Sequence, residues 1–348
     1  MKSICVFFIG VLLSFSNSVA AQELCMSVKK IWDNGIYSAF PSIIKFNGKY
    51  YCSFREGESH IFDKDGNASG KVRILVSDDG ENWRSAALIS KLNYDLRDPK
   101  LSVTPQGKLM VIIGGSVYKE KKLISRDPLV CFSADGRHYT PLQQVKLDPD
   151  VYTGNDWLWR VTWDGDTGYG VNYASQDREG GKPKVSLLKT VNGVDFDLIT
   201  HFDIPNFPNE ATVRIMEDKE MFIMIRREEG DRKGYWGRSY PPYTSWNWQA
   251  MDVILGGPDF MAVDSTHFVA GTRSHYIESF PKTVLLTGDK SGKFQEAMVL
   301  PSGGDTSYPG FLIVDEELWT CYYSQHESAN AAIFLAKIPL SSLFPKKR

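Results

Sequence analysis

The sequence predicts an all-β protein, a six-bladed β-propeller whose blades are four-stranded antiparallel sheets. Three observations predict this fold. β-rich runs recur in pairs around short turns, a turn motif repeats with starts at residues 77, 133 and 190, and no long helical pattern occurs. A repeat of roughly 50 residues with four strands in each unit is typical of propellers.

The paired runs account for the first two strands of each blade. Each pair is an apolar or alternating run, a short turn and a second such run. The six pairs are Phe40–Phe46 with Tyr50–Phe54, Leu101–Thr104 with Leu109–Ile113, Trp157–Trp163 with Tyr169–Tyr173, Ala211–Met216 with Met221–Ile225, Phe260–Val263 with Phe268–Gly271, and Phe311–Val314 with Trp319–Tyr323. Six such units fill residues 22–348, which predicts a single domain. We expect the spare segment Leu24–Ile31 to complete the last blade and close the ring.

A seven-residue turn motif follows the paired runs in three of the units. It consists of a hydroxyl residue, any residue, Asp or Asn, Gly, two further residues and an aromatic residue. It occurs at Ser77–Trp83, Ser133–Tyr139 and Thr190–Phe196, with a degenerate copy at Thr287–Phe294. The Asp or Asn side chain binds nearby backbone amides, and the Gly adopts a positive φ. We therefore expect Asp79, Asp135 and Asn192 to have structural roles.

The N-terminal segment predicts export. Lys2 precedes an apolar run from Ile4 to Leu13, and the small residues Ser18 to Ala21 follow. A basic start, a short apolar run and a site of small residues are typical of a secretory signal peptide, here residues 1–21. The run is shorter than the ~20 apolar residues that span a bilayer. We expect no membrane span and a periplasmic or secreted protein.

Composition argues against several classes of partner. The 40 Lys and Arg balance 42 Asp and Glu without a basic block, which argues against nucleic acid as a partner. Six scattered histidines and the absence of C-x-x-C spacing give no support for a metal site, and we expect no cofactor and a monomer. Cys25, Cys52, Cys131 and Cys321 follow the signal segment, and their three possible disulfide pairings stay open.

Charged residues collect where the first two strands of each blade meet the predicted central channel. The starts of the first strands and the ends of the second strands surround this mouth, where ligands are expected. A purely structural ring would need small or apolar groups there. The charged residues and one tyrosine found at these positions are Arg55, Arg97, Asp98, Arg160, Glu210, Arg226, Asp259, Arg273 and Tyr308.

The repeated turn resembles the Asp-box, or BNR repeat, of the sialidase (neuraminidase) superfamily, whose members are six-bladed propellers. The resemblance covers nearly all of residues 22–348. It implies a tyrosine nucleophile activated by a glutamate, an aspartate acid/base in a first-blade loop, and three arginines that hold the carboxylate of the sugar.

Four positions match that pattern in residue type, order and blade. Glu210 opens the fourth blade, and Arg226 ends the following hairpin sixteen residues later. Arg273 ends the hairpin of the fifth blade, and Tyr308 opens the sixth. The resemblance implies that Tyr308 attacks the sugar, that Glu210 accepts the phenolic proton, and that the two arginines bind the carboxylate. A tyrosine is the nucleophile that sets sialidases apart from other glycosidases.

The first-blade arginine of the superfamily is absent. Sialidases begin that blade with Arg-Ile-Pro, whereas this chain has Ala39-Phe40-Pro41. Arg55, Arg97 or Arg160 would have to act in its place from neighbouring positions of the ring. Together with Asp98 and Asp259, these arginines complete the set of predicted substrate-binding residues.

The loop Glu58–Asp65 offers two candidates for the acid/base. Asp63 fits by its distance from the first strand, and His60 precedes it by three residues. These features predict a secreted, retaining exo-glycosidase that hydrolyses a terminal acidic sugar of a glycan or glycoconjugate, with sialic acid as the first choice. The alternatives are a propeller glycosidase or lyase for another anionic sugar, such as a uronate, and a non-catalytic glycan-binding propeller.

Overall fold

The structure, a computed structural model, describes residues 26–174, 183–274 and 280–344. The predicted signal peptide, residues 1–21, and Cys25 lie outside these residues. The described part consists of 25 strands and one four-residue helix, α1 (Leu340–Leu343). No helix within it is long and apolar enough to cross a membrane.

The first three blades are antiparallel sheets of consecutive strands. Blade 1 consists of β2 (Tyr37–Phe46), β3 (Lys49–Gly57), β4 (Lys71–Ser77) and β5 (Arg84–Ile89). Blade 2 consists of β6 (Asp95–Val103), β7 (Leu109–Lys119), β8 (Lys122–Ser133) and β9 (Gln143–Gln144). Blade 3 consists of β11 (Asp156–Asp164), β12 (Thr167–Ala174), β13 (Lys184–Thr190) and β14 (Asp195–Phe202). Blade 3 departs from the predicted four strands, because a short outer strand, β10 (Lys146–Leu147), pairs in parallel with β14.

The last three blades follow the same plan. Blade 4 consists of β15 (Pro208–Ile215), β16 (Met221–Arg227), β17 (Lys233–Ser239) and β18 (Asn247–Ile254). Blade 5 consists of β19 (Asp259–Ala262), β20 (His267–Arg273), β21 (Thr283–Asp289) and β22 (Phe294–Val299). Blade 6 consists of β23 (Thr306–Val314), β24 (Glu317–Ser324), β25 (Ala332–Pro339) and β1 (Ser27–Trp32). Since β1 pairs antiparallel with β25, the predicted closure of the last blade by the leading segment is confirmed.

The first strands of the blades form a closed ring. β2 contacts β6 and β23, β11 contacts β6 and β15, and β19 contacts β15 and β23. The predicted all-β, six-bladed propeller is therefore confirmed, with the parallel strand β10 as the one addition to its four-stranded blades.

Apolar clusters between neighbouring blades hold this ring together. Between blades 4 and 5, Trp236 packs against Phe222, Phe260, Phe268 and Phe294, with ring centroids 5.0 to 5.4 Å apart. Burying each of these rings contributes roughly 2 kcal/mol of hydrophobic free energy. Side-chain packing therefore joins neighbouring blades, while the backbone hydrogen bonds of the strand ladders run within each sheet.

The described cysteines belong to the core of the molecule. Cys52, Cys131 and Cys321 are buried free thiols, so no disulfide joins two of them. Any pairing with Cys25 lies outside the described residues.

The repeated turn connects the third and fourth strands of blades 1, 2 and 3. In the first copy, Asp79 Oδ1 accepts hydrogen bonds of 2.8 Å from the backbone N–H groups of Glu81 and Asn82. Asp135 and Asn192 make the same pair of bonds in the other two copies. The motif thus shapes the hairpins at the blade edges, away from the channel, which is the structural role expected from the sequence.

A β-bulge in five of the six first strands redirects side chains toward the channel. The strand pairing slips by one residue between Ala39 and Ser42, Arg97 and Lys100, Leu158 and Val161, Pro208 and Ala211, and Ser307 and Gly310. Such bulges bend a strand and re-aim its side chains. At three of them the first extra residue is left-handed and precedes a proline: Phe40 with φ 63°, Asp98 with φ 47° and Tyr308 with φ 52°.

Candidate active site

Tyr308 and Glu210 meet across the channel. Tyr308 Oη donates a hydrogen bond of 2.5 Å to Glu210 Oε1, although the two residues belong to blades 6 and 4. Glu210 is buried and Tyr308 is partly buried. The bulges of β15 and β23 bring the two side chains together, because each lies in the two-residue segment that opposes a single residue of the neighbouring strand.

Burial and a neighbouring charge keep the Tyr308 phenol protonated. Desolvation raises its pKa well above the ordinary value, the negative charge of Glu210 raises it further, and the positive charge of Arg226 opposes both. The phenol is therefore neutral at neutral pH and needs a base to become a strong nucleophile. Glu210 Oε1 already accepts the hydrogen bond through which that proton would move.

Arg226 connects this pair to the channel wall. Its Nη1 donates to Glu210 Oε2 at 3.0 Å and to Tyr308 Oη at 3.3 Å, and its Nη2 lies 2.7 Å from Glu228 Oε1. The side chain is 15% exposed, so the guanidinium is within reach of a ligand at the mouth of the channel. Arg226 therefore orients both partners of the pair and places a positive charge beside them.

Arg273 supplies a second guanidinium near the tyrosine. Its Nε donates to the backbone oxygen of Thr306 at 2.8 Å, and its Nη2 donates to Tyr323 Oη at 3.2 Å. The same Nη2 lies 3.6 Å from Asp305 Oδ1. These contacts fix the orientation of a cation that sequence analysis assigned to carboxylate binding.

Asp305 is the centre of a network that sequence analysis did not identify. Its Oδ2 accepts a hydrogen bond from Tyr37 Oη and lies 2.6 Å from His60 Nδ1, and its Oδ1 accepts one from Tyr323 Oη at 2.7 Å. Burial alone would raise the pKa of the Asp305 carboxyl, but the hydrogen bond and charge of His60 and the two phenols hold it well below the ordinary range. An ionised carboxylate thus lies three residues before Tyr308.

Phe40 lies next to the position where the sialidase arginine is absent. Its ring is edge-on to Tyr308, Tyr323 and His60, with centroid distances of 5.0, 5.3 and 5.1 Å. The guanidinium carbon of Arg97 lies 5.2 Å from the centroid of the same ring. From blade 1, an aromatic ring rather than a guanidinium therefore contacts the tyrosine.

Arg55 and Arg97 converge on Asp95, another residue that sequence analysis missed. Arg55 Nε donates to Asp95 Oδ1 at 2.9 Å, and Arg97 Nη1 donates to Asp95 Oδ2 at 3.3 Å. Arg97 Nη1 also donates to the backbone oxygen of His60 at 3.1 Å, and Arg97 Nε lies 4.0 Å from Asp98 Oδ2. The two arginines and both aspartates are buried. Through Arg97 and Arg55, this network holds the backbone of the loop that carries His60.

Lys100 lies beneath the tyrosine and was also missed. Its Nζ donates to the backbone oxygens of Phe40 and Pro41 at 3.3 and 3.4 Å and lies 5.6 Å from the centroid of the Tyr308 ring. Lys100 is 2% exposed. Burial, together with the positive charge of Arg160, lowers the pKa of Lys100 to about 8. A buried cation therefore lies near the ring of the candidate nucleophile, Tyr308.

Arg160 and Asp259 pair with each other deeper in the ring. Arg160 Nη2 lies 3.0 Å from Asp259 Oδ2, and Arg214 Nη2 donates to Asp259 Oδ1 at 2.8 Å. The network joins blades 3, 4 and 5. Among the described residues, no hydrogen bond or ion pair joins this network to Tyr308 or Glu210, whereas Arg226 contacts both.

The Asp63 carboxylate is hydrogen-bonded to the backbone of its own loop. Its Oδ1 accepts hydrogen bonds from the backbone N–H groups of Asp65 at 2.9 Å and Asn67 at 2.7 Å. These bonds, that of Asn67 foremost, lower the pKa of the Asp63 carboxyl. Of the two predicted acid/base residues, Asp63 therefore shapes the loop, and His60 reaches Asp305 and Phe40.

Comparison with solved structures identifies the architecture. A protein of unknown function from Dyadobacter fermentans superposes with a TM-score of 0.74 at 14% identity, over 90% of this chain and 99% of that one. The sialidase of Trypanosoma rangeli superposes with a TM-score of 0.71 at 12% identity, over 92% of this chain and 60% of that one. The chain has the sialidase-type propeller fold. The NanB sialidase from Streptococcus pneumoniae agrees, with a TM-score of 0.68 at 10% identity over 90% of this chain and 71% of that one.

The likeness to sialidases is one of fold. No family model matches the sequence, and no curated protein matches it significantly. The chain spans about 60% of the length of the trypanosomal sialidase. Within this sialidase-type propeller, the chemistry must therefore be argued from the contacts of the chain's own residues.

Proposed function

We propose that the chain is an exported, retaining exo-glycosidase that removes a terminal acidic sugar from a glycan or glycoconjugate, with sialic acid as the first choice. The observation that carries the proposal is the 2.5 Å hydrogen bond from Tyr308 Oη to Glu210 Oε1 beside the Arg226 guanidinium. The pattern of residues 1–21 supports export. Solved complexes of the Trypanosoma rangeli sialidase contain sialic acid and a covalent intermediate from 2,3-difluorosialic acid, which makes sialosides the first substrates to test.

Tyr308 is the nucleophile in this proposal. Its Oη attacks the anomeric carbon while the phenolic proton passes to Glu210 Oε1 and the bond to the aglycone breaks. A neutral phenol is suited to an anionic sugar, because a carboxylate nucleophile would be repelled by the carboxylate of the substrate. An acid/base from the loop after β3, Asp63 or His60, protonates the leaving oxygen and later takes a proton from water.

Arg226 and Arg273 bind the sugar carboxylate. A guanidinium offers paired N–H donors that match the two oxygens of a carboxylate. Arg226 begins the reaction bound to Glu210 Oε2. Transfer of the phenolic proton neutralises Glu210, which weakens that ion pair and leaves the charge of Arg226 for the carboxylate of the sugar.

A second candidate function is cleavage of another anionic sugar, such as a uronate, by a glycosidase or lyase reaction. The observation that favours it is the aromatic contact from blade 1. Where sialidases have a third arginine, this chain has Ala39, followed by Phe40 against Tyr308. Two guanidiniums and an aromatic edge suit a carboxylate that is bound less tightly than by three guanidiniums.

The test of the nucleophile is Tyr308→Phe with Tyr322→Phe as its matched control. Tyr322 lies in the same blade, is fully buried and donates to the backbone oxygen of Pro301 at 2.7 Å. Tyr308→Phe is expected to abolish release of the sugar while the thermal midpoint stays near that of the wild type. Tyr322→Phe is expected to lower the midpoint and keep the activity per folded molecule. Full activity in Tyr308→Phe would end the proposal.

A panel of fluorogenic sialosides and uronides separates the candidate functions. Release of sialic acid with retained anomeric configuration, followed by proton NMR, supports the first proposal. If only the uronides are turned over, the substrate is a uronate rather than sialic acid. Binding of oligosaccharide without product after long incubation, unchanged in Glu210→Gln, would instead assign the chain as a glycan-binding module.

A further inference from the structure

Asp305 holds the imidazole of His60 in one orientation. His60 Nδ1 lies 2.6 Å from Asp305 Oδ2, and the phenols of Tyr37 and Tyr323 donate to the same carboxylate. An ionised carboxylate can only accept hydrogen bonds, so His60 Nδ1 carries the proton of this contact. The contact therefore fixes the tautomer of the ring and turns Nε2 away from Asp305.

The imidazole is close to the nucleophile and open to solvent. The Phe40 ring contacts both groups, with its centroid 5.1 Å from that of His60 and 5.0 Å from that of Tyr308. The His60 side chain is 44% exposed, whereas that of Asp305 is 25% exposed. The exposed imidazole therefore contacts the same aromatic ring as Tyr308, which leaves it open to the aglycone of a sugar attached to Tyr308.

The loop that carries His60 is anchored from below by buried cations. Arg55 Nη1 donates to the backbone oxygen of Ser59 at 2.7 Å, and Arg97 Nη1 donates to that of His60 at 3.1 Å. Both arginines are held by Asp95. The backbone and the side chain of His60 are therefore fixed by separate networks, as precise proton transfer requires.

Asp63, the other acid/base candidate, is poorly suited to giving up a proton. Its carboxylate accepts two backbone hydrogen bonds within its own loop, and these favour the ionised form. An ionised carboxylate has no proton for a leaving group. No described contact joins Asp63 to Tyr308, Glu210 or Phe40.

We propose that His60 is the acid/base residue of this site and that Asp305 is the residue that positions it. The inference rests on the proposed function of Tyr308 and Glu210. It assigns a histidine–aspartate pair to the role for which the resemblance to sialidases implies a single aspartate.

Two proton transfers at His60 Nε2 complete the reaction. In the first step Tyr308 Oη bonds to the anomeric carbon, its proton passes to Glu210, and the bond from the anomeric carbon to the aglycone oxygen breaks. This transfer requires the imidazolium form of His60, whose Nδ1–H faces Asp305 and whose Nε2 proton passes to that oxygen, which leaves as an alcohol. In the second step water bonds to the anomeric carbon and gives a proton to Nε2, the bond to Tyr308 breaks, and Glu210 returns the proton to the phenolate oxygen.

The leaving group of the substrate reveals the acid catalyst. The leaving group of a 4-nitrophenyl glycoside is acidic enough to depart with little proton donation. A sugar hydroxyl is a much weaker acid, so an oligosaccharide depends on the acid catalyst to protonate its leaving oxygen. His60→Ala is expected to keep kcat/KM within about threefold for the nitrophenyl glycoside and to lose roughly 100-fold or more for the oligosaccharide. Azide, which needs no base, is expected to speed turnover of the nitrophenyl glycoside by His60→Ala and to give the glycosyl azide.

His138→Ala is the matched control. His138 Nδ1 also lies 2.6 Å from an aspartate oxygen, Asp135 Oδ2, but this pair sits in the turn motif at a blade edge and the histidine side chain is 90% exposed. His138→Ala is expected to keep wild-type kcat/KM on both substrates. An equal loss in both histidine variants would overturn the assignment.

Asp305→Asn tests the positioning role through the leaving group. The amide keeps the shape of the side chain but is a weaker hydrogen-bond acceptor for His60 Nδ1 than the carboxylate. The variant is therefore expected to lose kcat/KM on the oligosaccharide and to stay within about threefold of the wild type on the nitrophenyl glycoside, a split that a merely structural role would not produce. Equal losses on both substrates would overturn the role of Asp305.

Failure of this inference is distinguishable from failure of the proposed function. An active wild type and an inactive Tyr308→Phe would support Tyr308 as the nucleophile. If His60→Ala then loses activity equally on both substrates, His60 is not the acid catalyst. If Asp63→Asn instead shows the dependence on the leaving group, the acid/base is Asp63. Absence of turnover by the wild type on either substrate would overturn both proposals.

Discussion

Gly257 lies against the face of the Tyr308 ring. A β carbon at Gly257 would fall 2.5 Å from Tyr308 Cδ2, and the residue has a left-handed backbone with φ 66°. Both facts favour glycine, because other side chains rarely adopt this φ and none has room beside the ring. This glycine, in the loop between blades 4 and 5, thus sets the position of the phenol from blade 6.

Gly257→Ala is expected to displace the Tyr308 ring and to lower kcat by about 100-fold, the scale of loss for a reacting group misplaced by about 1 Å. The matched control is Gly107→Ala, since Gly107 has φ 70° and open space within 4 Å of a β carbon. Both variants should lose about 1 kcal/mol of stability from the backbone strain. Steady-state kinetics then separates them, and equal kcat values would show that the contact with Tyr308 has no catalytic importance.

Asp79→Ala is expected to lower stability and to leave kcat unchanged. Hydrogen bonds from the backbone of Asn82 and Glu81 hold the pKa of the Asp79 carboxyl below its ordinary value. Its contribution to stability is therefore complete above that ordinary value, near 4, and is lost as the pH falls below it. Thermal unfolding at pH 7 and pH 3 should show a larger difference between wild type and variant at pH 7 than at pH 3.

Asp78→Ala controls for loss of a surface carboxylate in the same turn. Asp78 bonds only to the exposed side chains of Lys49 and Arg84 among the described residues. Such pairs contribute little to stability. A fall in the midpoint as large as that of Asp79→Ala would mean that charge, rather than the backbone bonds of the turn, stabilises the blade edge.

Lys100→Met is expected to lower kcat roughly 3- to 30-fold, the range that a desolvated cation–π contact supplies. The ammonium lies 5.6 Å from the centroid of the Tyr308 ring and stabilises the negative charge that grows on it as the proton leaves.

The charges that face Lys100 are those of Arg160, Asp98, Asp259 and Glu210. Lys100 has a pKa of about 8, so wild-type kcat should decline as the pH rises through that value. Lys100→Met should lack this decline.

Lys100 also affects stability in a predictable direction. Its pKa in the folded protein is about 8, below the value near 10.4 of an unfolded chain. Between these values the unfolded state binds more protons, so the contribution of Lys100 to the free energy of unfolding rises with pH. Denaturant unfolding at pH 7.5 and 9.5 should show a larger gain for the wild type than for Lys100→Met, and equal gains would contradict the buried, shifted lysine.

The propeller could be predicted from the sequence because its signals are local. The turn at Ser77–Trp83 and its copies are recognisable within seven residues, and each hairpin is an uninterrupted pair of β-rich runs. The positions of Glu210 and Tyr308 followed from counting blades. Strand order in a propeller follows sequence order, so the closure of the last blade by the leading segment was the one long-range pairing that had to be predicted.

The surroundings of the nucleophile could not be predicted in the same way. A residue before proline is normally extended, yet Phe40, Asp98 and Tyr308 are left-handed at bulges. These bulges change which side chains face the channel, and the alternation of the sequence does not locate them. The pairing of His60 with Asp305, 245 residues apart, depends on this geometry.

The most direct test of the account is the site of covalent labelling. The protein is incubated with a 2,3-difluoro derivative of the acidic sugar that it is proposed to release, then digested and examined by peptide mass spectrometry. We expect one sugar adduct, on the peptide that contains Tyr308, and its loss in Tyr308→Phe. An adduct on another residue, or complete turnover of the natural substrate with inversion and no adduct, would contradict it.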